Sequence, residues 1–241
     1  MCTVTFLPAK NGYLLASSRD EKNNRKPALP PKTYQHGRTP IVYPKDTQAH
    51  GTWIAMKYNG DAAVLLNGAF KKHIPKPAYE RSRGVVLLNI FESCNPLQAF
   101  LQAKLQNIEP FTLVLFVENI LTECRWCGHE KYIKHLSNKS AYIWSSVTLY
   151  DDEVIIKRQN WFNAWLAKHE YAVADDLSNF HHFGGDGDKQ NDILMKRENI
   201  YQTVSITVLE LLTGSKKMIY HDLENNRCIT KPIDTCDYAT L

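Results

Sequence analysis

The residue best placed to do chemistry is Cys2, directly behind the initiator methionine. Methionine aminopeptidase removes Met1 when the next residue is small, and cysteine qualifies. The mature chain then begins with a thiol and a free α-amine on one residue. An unperturbed α-amine titrates at roughly 7.7–8.0, so near neutral pH it can take the thiol's proton. A nucleophile that carries its own base is the N-terminal-nucleophile arrangement. It needs polar groups to hold the amine and a donor for the oxyanion that forms when the thiolate adds to a carbonyl. Arg19 and Asp20 are candidates for the first role, orienting the amine or carrying substrate charge. Asn67, at a strand end before Gly68, is the candidate oxyanion donor. The plainer reading of Cys2 is a small apolar strand residue, since cysteine is among the most buried types.

These residues need elements to bring them together. Cys2, Val4 and Phe6 alternate with Thr3, Thr5 and Leu7, a strand pattern, and Asn11-Gly12 follows as a hairpin signal. Tyr13 to Ser18 reads as the return strand. With Asn11-Gly12 as a two-residue loop, Lys10 faces Tyr13 and Cys2 faces Glu21, so the run Arg19-Asp20-Glu21 lies beside the Cys2 end of the first strand. A bulge or a longer loop would shift that pairing. Residues 22–50 hold prolines at 27, 30, 31, 40 and 44 and read as a long irregular segment, the type that is often a functional loop.

Further on, Trp53 to Lys57 and Ala62 to Leu66 read as strands joined around Asn59-Gly60, with Asn67-Gly68 closing the second. Pro96 to Gln106 has helical spacing. Phe111 to Glu118, Ile120 to Trp126 and Lys131 to Leu136 read as strands. Asp151 and Asp152 cap a helix that runs to about His169 and carries Trp161, Phe162, Trp165 and Leu166, a stripe of core type. Phe183 to Asp192 is a Gly/Asp loop. Val204 to Leu212 and Lys217 to His221 form a late hairpin around Thr213-Gly214. Many hairpins with few helices predict antiparallel sheets covered by helices, an α+β domain.

The chain has 241 residues, long enough for one sizeable core, and its 44% hydrophobic and 22% charged content is that of a folded globular protein. A net charge of +4 from 29 basic and 25 acidic residues is slight and dispersed, which excludes the electrostatic footprint of a nucleic-acid binder. No apolar run approaches the roughly 20 residues of a membrane helix. The N-terminus lacks a charged leader and a signal-length hydrophobic stretch, so the expected location is the cytoplasm, with the six cysteines reduced.

Several blocks carry a resemblance. Met1-Cys2-Thr3, Ser18-Arg19-Asp20-Glu21, His50-Gly51-Thr52-Trp53-Ile54, Ala62-Ala63-Val64-Leu65-Leu66-Asn67-Gly68 and Arg81-Ser82-Arg83-Gly84 resemble the family built around an Asn-Arg-Asp-Glu motif, the NRDE or transport and Golgi organisation 2 family. Ile143-Trp144-Ser145-Ser146-Val147-Thr148-Leu149-Tyr150 and Thr203-Val204-Ser205-Ile206-Thr207 resemble its later blocks, so the likeness spans nearly the whole chain in order. Ser18 departs from the motif, standing where its first asparagine would be. The resemblance implies one domain over residues 1–241 with a four-layer αββα fold: two antiparallel sheets between helices, N-terminal-nucleophile hydrolase-like. It is similar to the bile-salt hydrolase and penicillin V acylase group, which also starts Met-Cys-Thr. By that likeness Cys2 is the nucleophile, Arg19 and Asp20 its polar supports and Asn67 the oxyanion donor. Eukaryotic family members are linked to Golgi organisation, lipid metabolism and haem movement.

Other chemistry-bearing residues read as structural. Cys124-Arg125-Trp126-Cys127-Gly128-His129 lacks both the haem-attachment spacing and a second cysteine pair for zinc. Gly184 to Asp192 lacks the order of a calcium loop. His181-His182 is read as an adjacent pair in a loop, a weak metal signal. The function that the resemblance implies is cleavage of a non-peptide C–N (amide) bond of a small molecule, with no cofactor required. The alternative is a non-catalytic member that binds or transfers haem or a lipid-like ligand in the same cleft.

Overall fold

The computed structural model describes residues 3–197 and 200–233. Cys2 lies outside them. The chain opens with a hairpin, β1 (Thr3–Ala9) and β2 (Gly12–Lys22), and continues through β3 (Leu29–His36), β4 (Thr39–Lys45), β5 (Ile54–Lys57) and β6 (Ala62–Asn67). Two helices follow, α1 (Arg83–Phe91) and α2 (Pro96–Gln102), then β7 (Phe111–Val117), β8 (Ile120–Trp126), β9 (Lys131–Leu136) and β10 (Tyr142–Ser145). Two more helices, α3 (Asp152–Leu166) and α4 (Ala174–Phe183), precede β11 (Lys196–Arg197), β12 (Tyr201–Leu212), β13 (Ser215–Asp222) and β14 (Arg227–Pro232).

The strands form two antiparallel sheets. The first runs β10-β1-β2-β12-β13-β14, with β11 paired to β12; the second runs β3-β4-β5-β6-β7-β8-β9. Val4, Phe6, Leu15 and Leu209 of the first sheet share one buried cluster with Val64, Leu113 and Phe116 of the second. Val86, Phe91 and Phe100 bring α1 and α2 onto the second sheet. On the opposite side, Leu7, Leu14, Ala16, Ile206 and Val208 pack with Leu177 of α4, while Phe162 of α3 joins Phe180. The layers are therefore α1/α2, second sheet, first sheet, α3/α4, the αββα order. Alternation sets it: every second residue of β1 and β2 faces the partner sheet, and the others face the helices.

Four expectations change. The first hairpin pairs Ala9 with Gly12 and Pro8 with Tyr13, two positions away from the Lys10–Tyr13 pairing. Gly12 is used as a strand residue, because a Cβ there would collide with the β12 backbone at Leu211 and Leu212. A slip of two preserves which face each side chain takes. The expected facing of Cys2 lies outside the described residues.

Residues 22–50 are not one irregular segment but mostly a hairpin, β3 and β4, turning at Gly37 (φ 56°). Pro30 and Pro31 are tolerated because β3 is an edge strand with a register shift there, and β4 pairs with β5 only at Ile41 and Val42, clear of Pro40 and Pro44. Helix α2 ends at Gln102, short of Gln106. His181 and His182 lie in helix α4, not in a loop.

Candidate functional site

Strand β1 starts between two neighbours: Thr3 faces Ser18 of β2 on one side and Ser145 of β10 on the other. β2 continues past this point through Arg19, Asp20 and Glu21, and successive side chains take opposite faces. Arg19 points into the space between the sheets. Its guanidinium lies 4.5 Å over the Trp53 ring, donates to Asp46 Oδ2 at 2.6 Å and stands 3.4 Å from Glu21. Asp20 takes the helix side, where it accepts from Tyr150 Oη (2.8 Å) and Thr203 Oγ1 (2.6 Å).

Arg19 forms part of a cleft of about 180 Å³, together with Glu21, Arg25, Asp46, Trp53, Asn67 and Arg83 among its walls. Asp46 organises one side. Its Oδ1 accepts the amides of Gln48 (3.0 Å) and Ala49 (2.7 Å), while Oδ2 takes Arg19 and Arg25 Nη2 (3.0 Å). Burial alone would raise its pKa; the Ala49 amide and the two arginines outweigh burial and hold the carboxyl below its ordinary range. The loop from Asp46 to Trp53 then meets the start of α1. Gly51 and Gly84 touch backbone to backbone, and Thr52 N–H donates to Gly84 O at 3.4 Å. Ser82 caps α1 by accepting from Val85 N–H. The two sequence blocks around Gly51 and around Gly84 are thus one wall.

Asn67 closes β6 on the far side of the cleft. Leu65, two residues back on the same face, is held by its N–H to Trp53 O at 2.8 Å. Gly68 (φ 80°) turns the chain out of the sheet, with its N–H on Pro110 O. Ser146 Oγ donates to the Asn67 carbonyl at 2.9 Å, and Gly68 packs against Val147 and Thr148. The Asn67 side-chain amide makes no hydrogen bond to any described residue. Asn67 also borders a second cleft of about 200 Å³ with Phe70, Ile143, Trp144, Ser145 and Val147.

Beneath the start of β1, on the helix side, lies a buried polar network that sequence reading missed. Arg158 of α3 is fully buried; it donates to Thr3 Oγ1 at 2.6 Å and to the carbonyls of Asn191 and Asp192, with its guanidinium 3.6 Å from the Tyr150 ring. Tyr150 passes this on to Asp20. Beside it, His181 has Nε2 2.8 Å from Thr5 Oγ1 and Nδ1 2.8 Å from Ser18 Oγ. Complete burial, helped by His182 and Arg158, lowers the His181 pKa to about 3, so the ring is neutral at physiological pH. The hydroxyl of Ser18, the position that departs from the family motif, is the group that His181 holds.

Of the four expected site residues, Arg19 and Asn67 share the cleft. Asp20 is not in its wall but supports β2 from behind, and Cys2 lies outside the described residues. Glu21, Arg25, Asp46, Trp53 and Arg83 also face the cleft; three of them sit in the sequence blocks quoted above. Cys124 lies in the core, where burial pushes its thiol up to about 12, while Cys127 is in the following turn. Among the described residues no cluster of three metal-binding side chains occurs. No helix there is long and apolar enough to cross a membrane. Trp161 and Trp165, expected in the core, instead line an open groove of about 470 Å³ with His169, Phe180 and Phe183; only Phe162 of that stripe is fully buried.

Two antiparallel sheets between helical layers, with β1 an interior strand of one sheet, make an N-terminal-nucleophile hydrolase-like fold. The chain belongs to the Transport and Golgi organisation 2 family, whose model matches residues 1–221. Among solved structures it is similar to conjugated bile acid hydrolase from Clostridium perfringens (TM-score 0.60, 13% identity, 96% of this chain and 92% of that one). It is also similar to the N-acylethanolamine-hydrolyzing acid amidase orthologue of Caenorhabditis elegans (TM-score 0.57, 11% identity, 86% and 92%). At these identities the likeness is one of fold. No curated protein matches the chain by sequence.

Proposed function

We propose that the protein is a cysteine N-terminal-nucleophile hydrolase that cleaves the non-peptide C–N bond of a small amide, with Cys2 as nucleophile once Met1 is removed. One observation carries the reading. Arg19 and the side-chain amide of Asn67, which bonds to no described residue, share a cleft at the end of the first hairpin, and Arg19 follows Ser18, the strand partner of the residue to which Cys2 is bonded. Adjacent Cα atoms are about 3.8 Å apart. The bile acid hydrolase neighbour was crystallised with its second residue, a cysteine, changed to alanine.

In this mechanism the Cys2 α-amine takes the thiol proton and the thiolate adds to the amide carbonyl carbon. Asn67 donates to the oxyanion. Collapse breaks the C–N bond, and the ammonium returns its proton to the leaving amine. Water then adds to the thioester, again giving a proton to the α-amine, and the second collapse releases the acid and restores the thiol. Arg19 and Asp20 hold the strand end. A free thiol nucleophile suits the reducing cytoplasm, and that location is part of the proposal.

The test begins with the intact mass of the purified protein. A mass lacking methionine is required, and retention of Met1 would sink the amine-base mechanism. Wild type should then hydrolyse members of an acyl-amide panel, and Cys2→Ala should not. Undiminished turnover by that variant would remove Cys2 from the chemistry.

A second reading, a non-catalytic protein that binds or transfers haem or a lipid-like ligand, is favoured by a different observation. The cleft at Asn67 is too small and polar for such a ligand, but the groove between α3 and α4 is aromatic and about 470 Å³. Titration with haem should give a saturable absorbance shift that Trp165→Ala weakens. No shift would end this reading for haem.

A further inference from the structure

The cleft at Arg19 has an uneven chemistry. Three arginines, 19, 25 and 83, stand in its wall against two carboxylates, Glu21 and Asp46. Asp46 is saturated: one oxygen takes two backbone amides and the other serves Arg19 and Arg25 together. Each guanidinium brings five N–H donors in a planar fork, so the pair at Asp46 offers far more donors than one oxygen can accept. Arg83 reaches Glu109, which is not in the wall, at 3.0 Å. A further donor, the Nε1–H of Trp53, is buried without a hydrogen-bond partner among the described residues, although Trp53 lines the same cleft. Buried polar groups are normally satisfied, and one that is not marks a place where water or a ligand completes the site. The cleft is rich in donors and poor in acceptors. Glu21, the other carboxylate, stands 3.4 Å from Arg19, and a further anionic, planar acceptor would complement the three guanidinium groups.

Size narrows this further. At about 180 Å³ the cleft is below the roughly 300–1,000 Å³ of pockets for larger ligands. Its aliphatic wall is limited to Leu65 and Ala49. The second cleft, on the other side of Asn67, is comparably small and holds Phe70, Ile143, Trp144 and Val147, with Arg125 and Asp152 as its charged residues. A carbonyl at Asn67 would therefore have a charged half-site on one side and a more apolar one on the other.

We propose that the arginine cleft binds a small carboxylate-bearing half of the substrate, and that Arg25 and Arg83 are the specificity-determining residues. The word substrate rests on the hydrolase reading; the binding claim does not. A carboxylate satisfies two guanidinium forks in a way a neutral amide cannot. The carboxylate can belong to the acyl half, as in the monoamide of a dicarboxylic acid, or to the amine half, as in an N-acyl amino acid. The chemistry seen by the arginines is the same.

The experiment measures binding by calorimetry to the full chain carrying Cys2→Ala, so that no ligand is consumed. Four probes are used: succinamic acid and its neutral counterpart succinamide, and N-acetylglycine and its neutral counterpart N-acetylglycinamide. At least one acid should bind about ten-fold or more tightly than its neutral partner, the size expected for a charge-assisted hydrogen bond. Which acid does so identifies the half that carries the carboxylate. Arg25→Gln and Arg83→Gln should each remove that preference while leaving the neutral probes little changed. Arg25 has a partly exposed side chain, so its variant is the safer fold, and circular dichroism confirms both. Equal binding of acids and neutral amides, no binding of either acid, or equal weakening of all probes by the arginine variants would overturn the proposal. Turnover by the wild-type chain separates the two ideas. Arginine-dependent binding without cleavage removes the hydrolase reading alone, whereas cleavage of neutral amides indifferent to Arg25 and Arg83 removes this one alone.

Discussion

Arg19 donates to Asp46 at 2.6 Å, and this bond links β2 of the first sheet to the loop after β4 of the second. Both residues are buried. Removing one partner of a buried pair leaves an uncompensated charge and costs several kcal/mol. Asp46→Asn should therefore destabilise the protein by about 3 kcal/mol in urea unfolding. Arg25 shares the same carboxylate from a side chain that is 31% exposed, so Arg25→Ala should cost less than about 1 kcal/mol. Equal costs for the two would show that Asp46 is not the organising charge.

Asn67 makes the opposite prediction, of function without stability. Its backbone carbonyl is held by Ser146, but its side-chain amide engages no described residue. Asn67→Ala should lower kcat by about 10²–10³, the usual loss for an oxyanion donor, with little change in KM or in melting temperature. An unchanged kcat would remove Asn67 from the oxyanion role. A large stability loss would mean the amide has a structural task.

Much of this arrangement is legible in the sequence, and the parts that are not have physical reasons. The pairs β5–β6 and β12–β13 follow from short apolar runs around Asn59-Gly60 and Thr213-Gly214, and β7–β8 from two such runs that follow each other closely. Residues 29–45 read as irregular because proline is a general strand breaker; edge position and partial pairing, which excuse it, are tertiary facts. The cleft wall is local in sequence only as short blocks. That Gly51 meets Gly84, or that His181 of α4 reaches Ser18 of β2, depends on layers that no local pattern encodes. Trp161 and Trp165 have core spacing yet line a groove, since helical period fixes a shared face but not what covers it.

Gly51 supplies a test of that wall. A methyl group added there would overlap the backbone of Gly84, and one added at Gly84 would come within 2.6 Å of Thr52 O. Neither backbone can move without shifting the end of α1. Gly51→Ala and Gly84→Ala should each cost about 1–3 kcal/mol as overpacking. They should also displace Arg83 relative to Arg19, so carboxylate binding should weaken even where the fold survives. Wild-type affinity in a folded Gly51→Ala protein would show that the contact does not position the cleft.

His181 predicts how stability depends on pH. Its folded pKa, lowered to about 3, lies below the ordinary value of 6.5, so the unfolded chain binds the extra proton first. Stability from this group is complete above about pH 6.5 and is lost as the pH falls toward 3, at up to about 1.4 kcal/mol per pH unit. His182 and His221 are also lowered, mainly by burial, and add to the same window. The stabilisation from Asp46, held below its ordinary carboxyl value of 3.8, is complete above that value and is lost only at lower pH, so the two effects separate. His181→Gln keeps hydrogen-bonding capacity toward Thr5 and Ser18 without a titrating ring. In chemical denaturation between pH 7 and pH 4.5 the wild-type chain should lose stability more steeply than this variant. Parallel curves would mean that His181 is protonated without cost, and that the buried link between β1, β2 and α4 is not what the ring maintains.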